Sequence, residues 1–300
     1  MVSILSSSSS FCGLRRCLVL LVFLVQQAAA ANFNQDFNIT WAPDHVRVLD
    51  NSQLLQLTLD QASGSGFVSK NQYLFGNIDM QIKLVPGNSA GTVTAYYLYS
   101  TASPNSHDEL DFEFLGNVSG QPYILQTNVF TSGKGEREER INLWFDPTAD
   151  FHTYSILWNP QIIIFSVDGT PIRVFPNNEK ALGVPYLNKQ SMSLYSTLWN
   201  ADGWATRGGL DKIDWTQAPF VASYTNFKAD ACTNYNTDYA SAQACASSGD
   251  KWWNQPEYQT VASDDTSKLS WVRQNFLIYD YCSDTQRNPV PPPECSNSHI

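Results

Sequence analysis

Basic residues are scarce in this 300-residue sequence, with 18 Lys and Arg against 28 Asp and Glu. No basic patch is available to meet phosphates, so neither nucleic acid nor an anionic membrane is expected as a partner. Long apolar runs are missing too. The stretch Cys17–Val25 is uninterrupted, but a bilayer-spanning helix needs roughly 20 such residues. Histidine is down to four. His107 and His152 have no Ser or Cys nucleophile context, so a catalytic triad is not expected. His152 reads as a satisfied strand histidine, and His107 as a residue that could tune neighbouring acids. No C-x-x-C or histidine pair accompanies the cysteines, which argues against zinc. The Gly-rich turns do not open helices, which argues against a phosphate cradle. Neither a metal nor a cofactor is expected. Internal repeats are absent.

The short apolar run follows Arg15-Arg16 and precedes Ala28-Ala29-Ala30-Ala31. That order predicts a secretory signal peptide over 1–31 and a mature start near Asn32. Arg15 and Arg16 leave with it and no acid does, so 18 basic residues become 16 against 28 acidic, a balance of −12. Cys12 and Cys17 leave as well. The remaining Cys232, Cys245, Cys282 and Cys295 allow two disulfides in three connectivities, of which the local pairs Cys232–Cys245 and Cys282–Cys295 are preferred. Two glycosylation sequons, Asn38-Ile-Thr40 and Asn117-Val-Ser119, suit the same route.

The mature chain reads as strands and tight turns. Leu54–Leu59 alternates like a half-buried strand, and Ser63–Gly66 follows as a turn. Gly76–Val85 and Gly91–Leu98 are further β-favouring runs. Ile162–Val167, Asp168-Gly169 and Thr170–Phe175 spell a hairpin. Helical periodicity is almost absent, so an all-β antiparallel sandwich or jelly roll is expected over 32–224. A disulfide-bearing extension over 225–300 is expected to pack on it, with one helix at Thr237–Ala246 stopped by Gly249.

The informative segment is His107–Gly116. Glu109, Asp111 and Glu113 fall on one strand face, while Leu110, Phe112 and Phe114 fall on the other. The apolar side sets the register of the acidic side. Three like charges about 6.6 Å apart give a structural strand nothing, and no Lys or Arg neutralises them. Retaining glycoside hydrolysis uses such a set, with one ionised carboxylate as nucleophile and one protonated carboxyl as acid. Glu109 and Glu113 must lean toward Asp111, whose hydrogen bond could hold Glu109; like-charge neighbours raise the pKa of one member, here assigned to Glu113 as the acid. A solvated acidic face and a calcium site are the competing readings. Trp199 and Trp204 are candidate sugar platforms; Trp158, Trp252 and Trp253 read as packing.

The run His107-Asp-Glu-Leu-Asp-Phe-Glu-Phe-Leu-Gly-Asn117 resembles the active-site signature of plant xyloglucan endotransglucosylase/hydrolases, in glycoside hydrolase family 16. The likeness extends through Ser63–Phe67, Gly91–Leu98, Leu143–Pro147, Trp204–Gly209 and the four-cysteine tail. It implies a jelly roll with an open cleft, Glu109 as nucleophile, Asp111 as its helper and Glu113 as acid/base. It implies substrate contacts at Gln126, Thr127, Asn128, Glu136, Arg137, Glu138, Trp204, Ala205, Gly209 and Arg287. The sequon at Asn117 also matches the family pattern. The wording after Arg287 and the loop 101–106 depart from it.

The expectation is therefore a monomeric enzyme of the cell wall and apoplast. It would cut the β-1,4-glucan backbone of xyloglucan donor chains and pass the new end to xyloglucan acceptor chains. Hydrolysis is the alternative outcome, and a non-catalytic carbohydrate-binding sandwich is the alternative from another class.

Overall fold

Burial alternates residue by residue along strands such as Leu54–Leu59 and Glu139–Asn142, and in this computed structural model the extended segments pair antiparallel throughout. Residues 32–100, 105–234 and 239–297 are described; the leader expected at 1–31 lies outside them. The strands are β1 (Phe37–Trp41), β2 (Val46–Leu49), β3 (Leu54–Leu59), β4 (Ser65–Lys83), β5 (Thr92–Tyr99), β6 (Glu109–Leu115) and β7 (Ile124–Phe130). They continue with β8 (Glu139–Asn142), β9 (His152–Trp158), β10 (Ile162–Val167), β11 (Thr170–Pro176), β12 (Met192–Asn200), β13 (Phe220–Asn234) and β14 (Leu277–Asp280).

Two packed layers emerge because β4 serves both. Its first half pairs with β1 and β12, and its second half with β9 and β13. The expected turn at Ser63–Gly66 and strand from Gly76 are instead one long strand starting at Ser65. Phe75 at φ 63° and Gly76 at φ 132° kink it without ending it. A side chain at Gly76 would meet the Asp230 carbonyl at 2.4 Å, so only glycine permits β13 to come that close. One layer runs β1-β4-β12-β5-β6-β7-β8-β14, and the other runs β2-β3-β13-β4-β9-β10-β11.

The core lies between them. Phe112 of β6 meets Phe165 of β10 edge-on at 5.2 Å, and Phe114 meets Tyr154 of β9 at 4.6 Å. Trp158 is fully buried, with its indole N–H donating to the Leu187 carbonyl at 2.8 Å. Burying a Phe-sized side chain contributes ~1.5–3 kcal/mol, so this aromatic face locks the orientation of β6. The hairpin β10–β11 turns at Asp168 and Gly169 with φ 48° and 71°, as a two-residue primed turn requires.

Two expectations about the tail need correction. The boundary placed at 224/225 falls inside β13, whose pairing with β4 continues to Asn234. A second helix, Ser263–Phe276, was also not expected. Only Leu269 and Val272 of it are buried, so its apolar stripe is too thin to read as a helical period. The shorter helix is Tyr239–Ala246, and the expected start at Thr237 lies outside the described residues. Disulfides join Cys232 to Cys245 and Cys282 to Cys295. No helix among the described residues is long and apolar enough to cross a membrane.

The tail is tied to the cleft-bearing layer by buried charge. Arg273 reaches Glu139 of β8 at 3.0 Å and Asp280 of β14 at 2.6 Å, while Arg173 of β11 lies 3.8 Å from Glu139. Arg137 pairs with Glu294 beside the second disulfide. Three cations and three anions balance, as burial of charge demands.

Candidate active site

Because Leu110, Phe112 and Phe114 are held in the core, Glu109, Asp111 and Glu113 must face the other way. They line one open cleft of about 690 Å³. Around them stand Gln126 and Asn128 of β7, Tyr97 of β5, Trp41 of β1, Thr197 and Trp199 of β12, and Trp204. The far wall comes from Glu138, Arg140, Tyr279 and Arg287.

The acids are not equivalent. Glu109 is hydrogen-bonded to Asp111 and lies 3.0 Å from His107 Nε2. Burial raises its pKa, and those two contacts oppose the rise. Asp111 is pushed well above the carboxylate range, first by burial and then by the charges of Glu109 and Glu113. The hydrogen bond shared by the two raises the Asp111 pKa and lowers that of Glu109, the pattern of Asp111 donating to Glu109. Glu113 is also raised by burial, and Gln126 Nε2 donates to its Oε2 against that rise. Two carboxylates of different character flanking a central proton donor match the needs of a nucleophile and an acid.

The substrate contacts expected from the sequence divide into two groups. Gln126, Asn128, Glu138, Trp204 and Arg287 line the cleft. Thr127, Glu136, Arg137, Ala205 and Gly209 do not. Thr127 alternates to the core face, where its carbonyl and hydroxyl accept from Arg173 at 2.9 and 3.0 Å. The Arg137 side chain is buried, donating to the carbonyls of Val129 and Lys134 and pairing with Glu294. Glu136 is exposed at φ 63° outside the cleft. Ala205 is buried in a small apolar cluster with Val93, Ala95 and Leu115, beneath Trp199 and Trp204. Gly209, at φ 84°, is a backbone requirement, since a Cβ there would meet the Gly203 carbonyl at 2.3 Å. Thr127, Arg137 and Ala205 lie buried outside the cleft, and Glu136 is exposed away from it.

Sequence reasoning missed Trp41, Tyr97, Arg140 and Tyr279. Tyr97 sits opposite Asp111 in register, and Arg140 is opposite Gln126. For Tyr97, Arg140 and Tyr279, strand pairing is the signal that would have found them, and one sequence does not display it. Asn38 is exposed on β1, and Asn117 is half-buried with its amide donating to the Pro122 carbonyl at 3.0 Å.

The model of glycosyl hydrolases family 16 matches residues 33–217. The chain belongs to glycosyl hydrolase family 16. A second model, the xyloglucan endo-transglycosylase C-terminus, matches residues 247–295, so the family 16 sandwich here carries that kind of tail. A xyloglucan endotransglucosylase, protein 8 of Diospyros kaki, is 56% identical over 287 residues, covering 94% of this chain and 96% of its own. A probable xyloglucan endotransglucosylase/hydrolase, protein 7 of Arabidopsis thaliana, is 50% identical, covering 98% of both chains. Among solved family 16 folds, the Bacillus licheniformis β-glucanase superposes with a TM-score of 0.51 at 25% identity, over 65% of this chain and 86% of its own. The Crh5 transglycosylase superposes at 0.55 with 23% identity, over 72% and 90%, which shows the shared sandwich.

Proposed function

We propose that this chain is a xyloglucan endotransglucosylase working by a retaining mechanism. One observation carries the reading: Glu109, Asp111 and Glu113 line a single open cleft in a chain that is 56% identical to a relative named xyloglucan endotransglucosylase and 50% identical to one named probable xyloglucan endotransglucosylase/hydrolase. An open cleft suits an internal bond of a polymer.

Glu109 attacks the anomeric carbon of a backbone glucose while Glu113 gives its proton to the departing oxygen. A glycosyl ester on Glu109 forms and the leaving chain departs with its new hydroxyl. Glu113, now ionised, takes the proton of an incoming sugar hydroxyl, whose oxygen displaces Glu109. Asp111 hydrogen-bonds to Glu109 beside the reacting centre. The sandwich carries the acids, and the tail supplies Tyr279 and Arg287 to the wall where an acceptor chain would lie. Gln126, Asn128, Glu138, Trp204 and Arg287 are the contacts proposed for the sugar. An enzyme of this kind acts in the cell wall, a reading supported by the two disulfides, the expected leader and the sequons at Asn117 and Asn38.

A labelled xyloglucan oligosaccharide tests the reading. Label entering long chains without growth of reducing ends supports transfer. Steady growth of reducing ends makes the chain a hydrolase instead. Full activity in Glu109→Gln would defeat the catalytic assignment.

A further inference from the structure

Glu113 is linked to the C-terminal extension through three side chains. Gln126 donates from Nε2 to Glu113 Oε2. The same amide accepts at Oε1 from Arg140 Nε at 2.6 Å. The guanidinium of Arg140 lies 5.3 Å from the centroid of the Tyr279 ring, and Tyr279 pairs with Arg140 in register across β14 and β8. The Tyr279 hydroxyl is itself fixed, donating to Asp284 Oδ2 at 2.9 Å.

We propose that Arg140 and Tyr279 are positioning residues for Glu113: the ring steadies the guanidinium, the guanidinium orients the Gln126 amide, and the amide occupies one oxygen of the carboxyl. The proposal rests on the reading of Glu113 as acid/base given above.

The chemistry follows from donor and acceptor counts. An amide whose oxygen accepts a charged N–H loses a charge-assisted bond if it flips, so its Nε2 keeps facing Glu113. With Oε2 accepting from that amide, the acid proton of Glu113 resides on Oε1, the oxygen left for the glycosidic bond. The amide bond and the Arg140 charge also favour the ionised form and counter burial. A group that alternates between acid and base needs that counterweight, because a carboxyl kept permanently protonated could not accept the incoming proton. The other groups near it are set against ionisation or tied elsewhere. Glu109 on β6 and Glu138 at the edge of β8 raise the pKa. Asp111 is two residues away on the same face, and Tyr97 faces the row from β5. Arg287 is paired to Glu138 at 2.6 Å.

The test is the pH profile of kcat/KM for xyloglucan cleavage by the full chain. Its alkaline limb reports the acid in the free enzyme. Arg140→Gln is expected to move that limb upward by about half a pH unit or more, roughly a threefold change in the ionisation constant. Tyr279→Leu, a milder change at a half-buried site, should move it the same way by less, and Arg140→Lys should fall between wild type and Arg140→Gln. A rise in KM or a fall in kcat with the limb unmoved in all three overturns the proposal, since the two residues would then merely touch sugar or support the wall. The underlying reading is tested apart from it. Glu113→Ala should still cleave an aryl glycoside whose leaving group needs no proton, and azide should restore its turnover. Loss of that reaction rejects Glu113 as acid/base, whatever the limb does.

Discussion

His107 Nε2 sits 3.0 Å from Glu109 Oε2, and its ring is held between Tyr99 at 4.9 Å and Phe130 at 5.1 Å. Contact with His107 lowers the Glu109 pKa against burial, so removing it raises that pKa. Attack needs Glu109 ionised. In His107→Ala the acidic limb of kcat/KM should therefore move to higher pH, with turnover at mildly acidic pH down about tenfold or more. His107→Gln, which keeps a donor, should recover part of the loss. An unmoved acidic limb would show that His107 only packs.

Burial, and then the charges of Glu109 and Glu113, raise the Asp111 pKa in the folded chain above its unfolded value. The folded state then binds more protons than the unfolded one, so stability falls as pH rises above the unfolded carboxyl value of about 3.9. Asp111→Asn removes this dependence. A melting scan should find the variant more stable at pH 7 by about 1 kcal/mol, or about 2–4 °C in Tm. The gain should vanish near pH 4, and turnover should collapse. A Tm gain equal at both pH values would contradict the account.

The rings of Trp204 and Trp199 lie 6.2 Å apart between centroids on the cleft lining, over the small cluster containing Ala205. If Trp204 offers a face to sugar, Trp204→Ala loses about 1 kcal/mol of binding, roughly fivefold in KM. Steady-state kinetics should place the effect in KM more than in kcat. The reverse split would make Trp204 a support of the catalytic strand.

Arg273 is the hinge of the charge network between tail and sandwich. Replacing it by Met leaves Glu139 and Asp280 buried with fewer partners, a loss of about 3–5 kcal/mol. Chemical denaturation should report that loss. Lys189→Met, at an exposed pair with Glu179, should cost under about 1 kcal/mol. Equal effects would mean the buried network contributes nothing special. Reduction of Cys282–Cys295, which closes a short loop with sequence separation 13, should remove about 3 kcal/mol more.

The acidic strand was legible because its two periods are written in consecutive residues. Strict alternation over 109–114 needs no knowledge of neighbours, and the structure sends the two sets to opposite faces. The hairpin at Asp168-Gly169 was legible for the same reason, since its turn chemistry is local. Thr127 and Arg137 show where motif reading ends. They neighbour cleft residues in sequence, yet the pleat turns Thr127 inward and the Glu294 carboxylate draws Arg137 under the wall.

Residue order alone determined the all-β class, the acidic row and the side of β6 that would be apolar, because each depends on alternation within a few residues. Only the tertiary structure decided that β4 serves both layers, that Arg140 faces Gln126, and that a tail residue, Tyr279, packs against Arg140. Those relations join residues far apart in the chain, and they form when the burial of two aromatic faces brings the strands together.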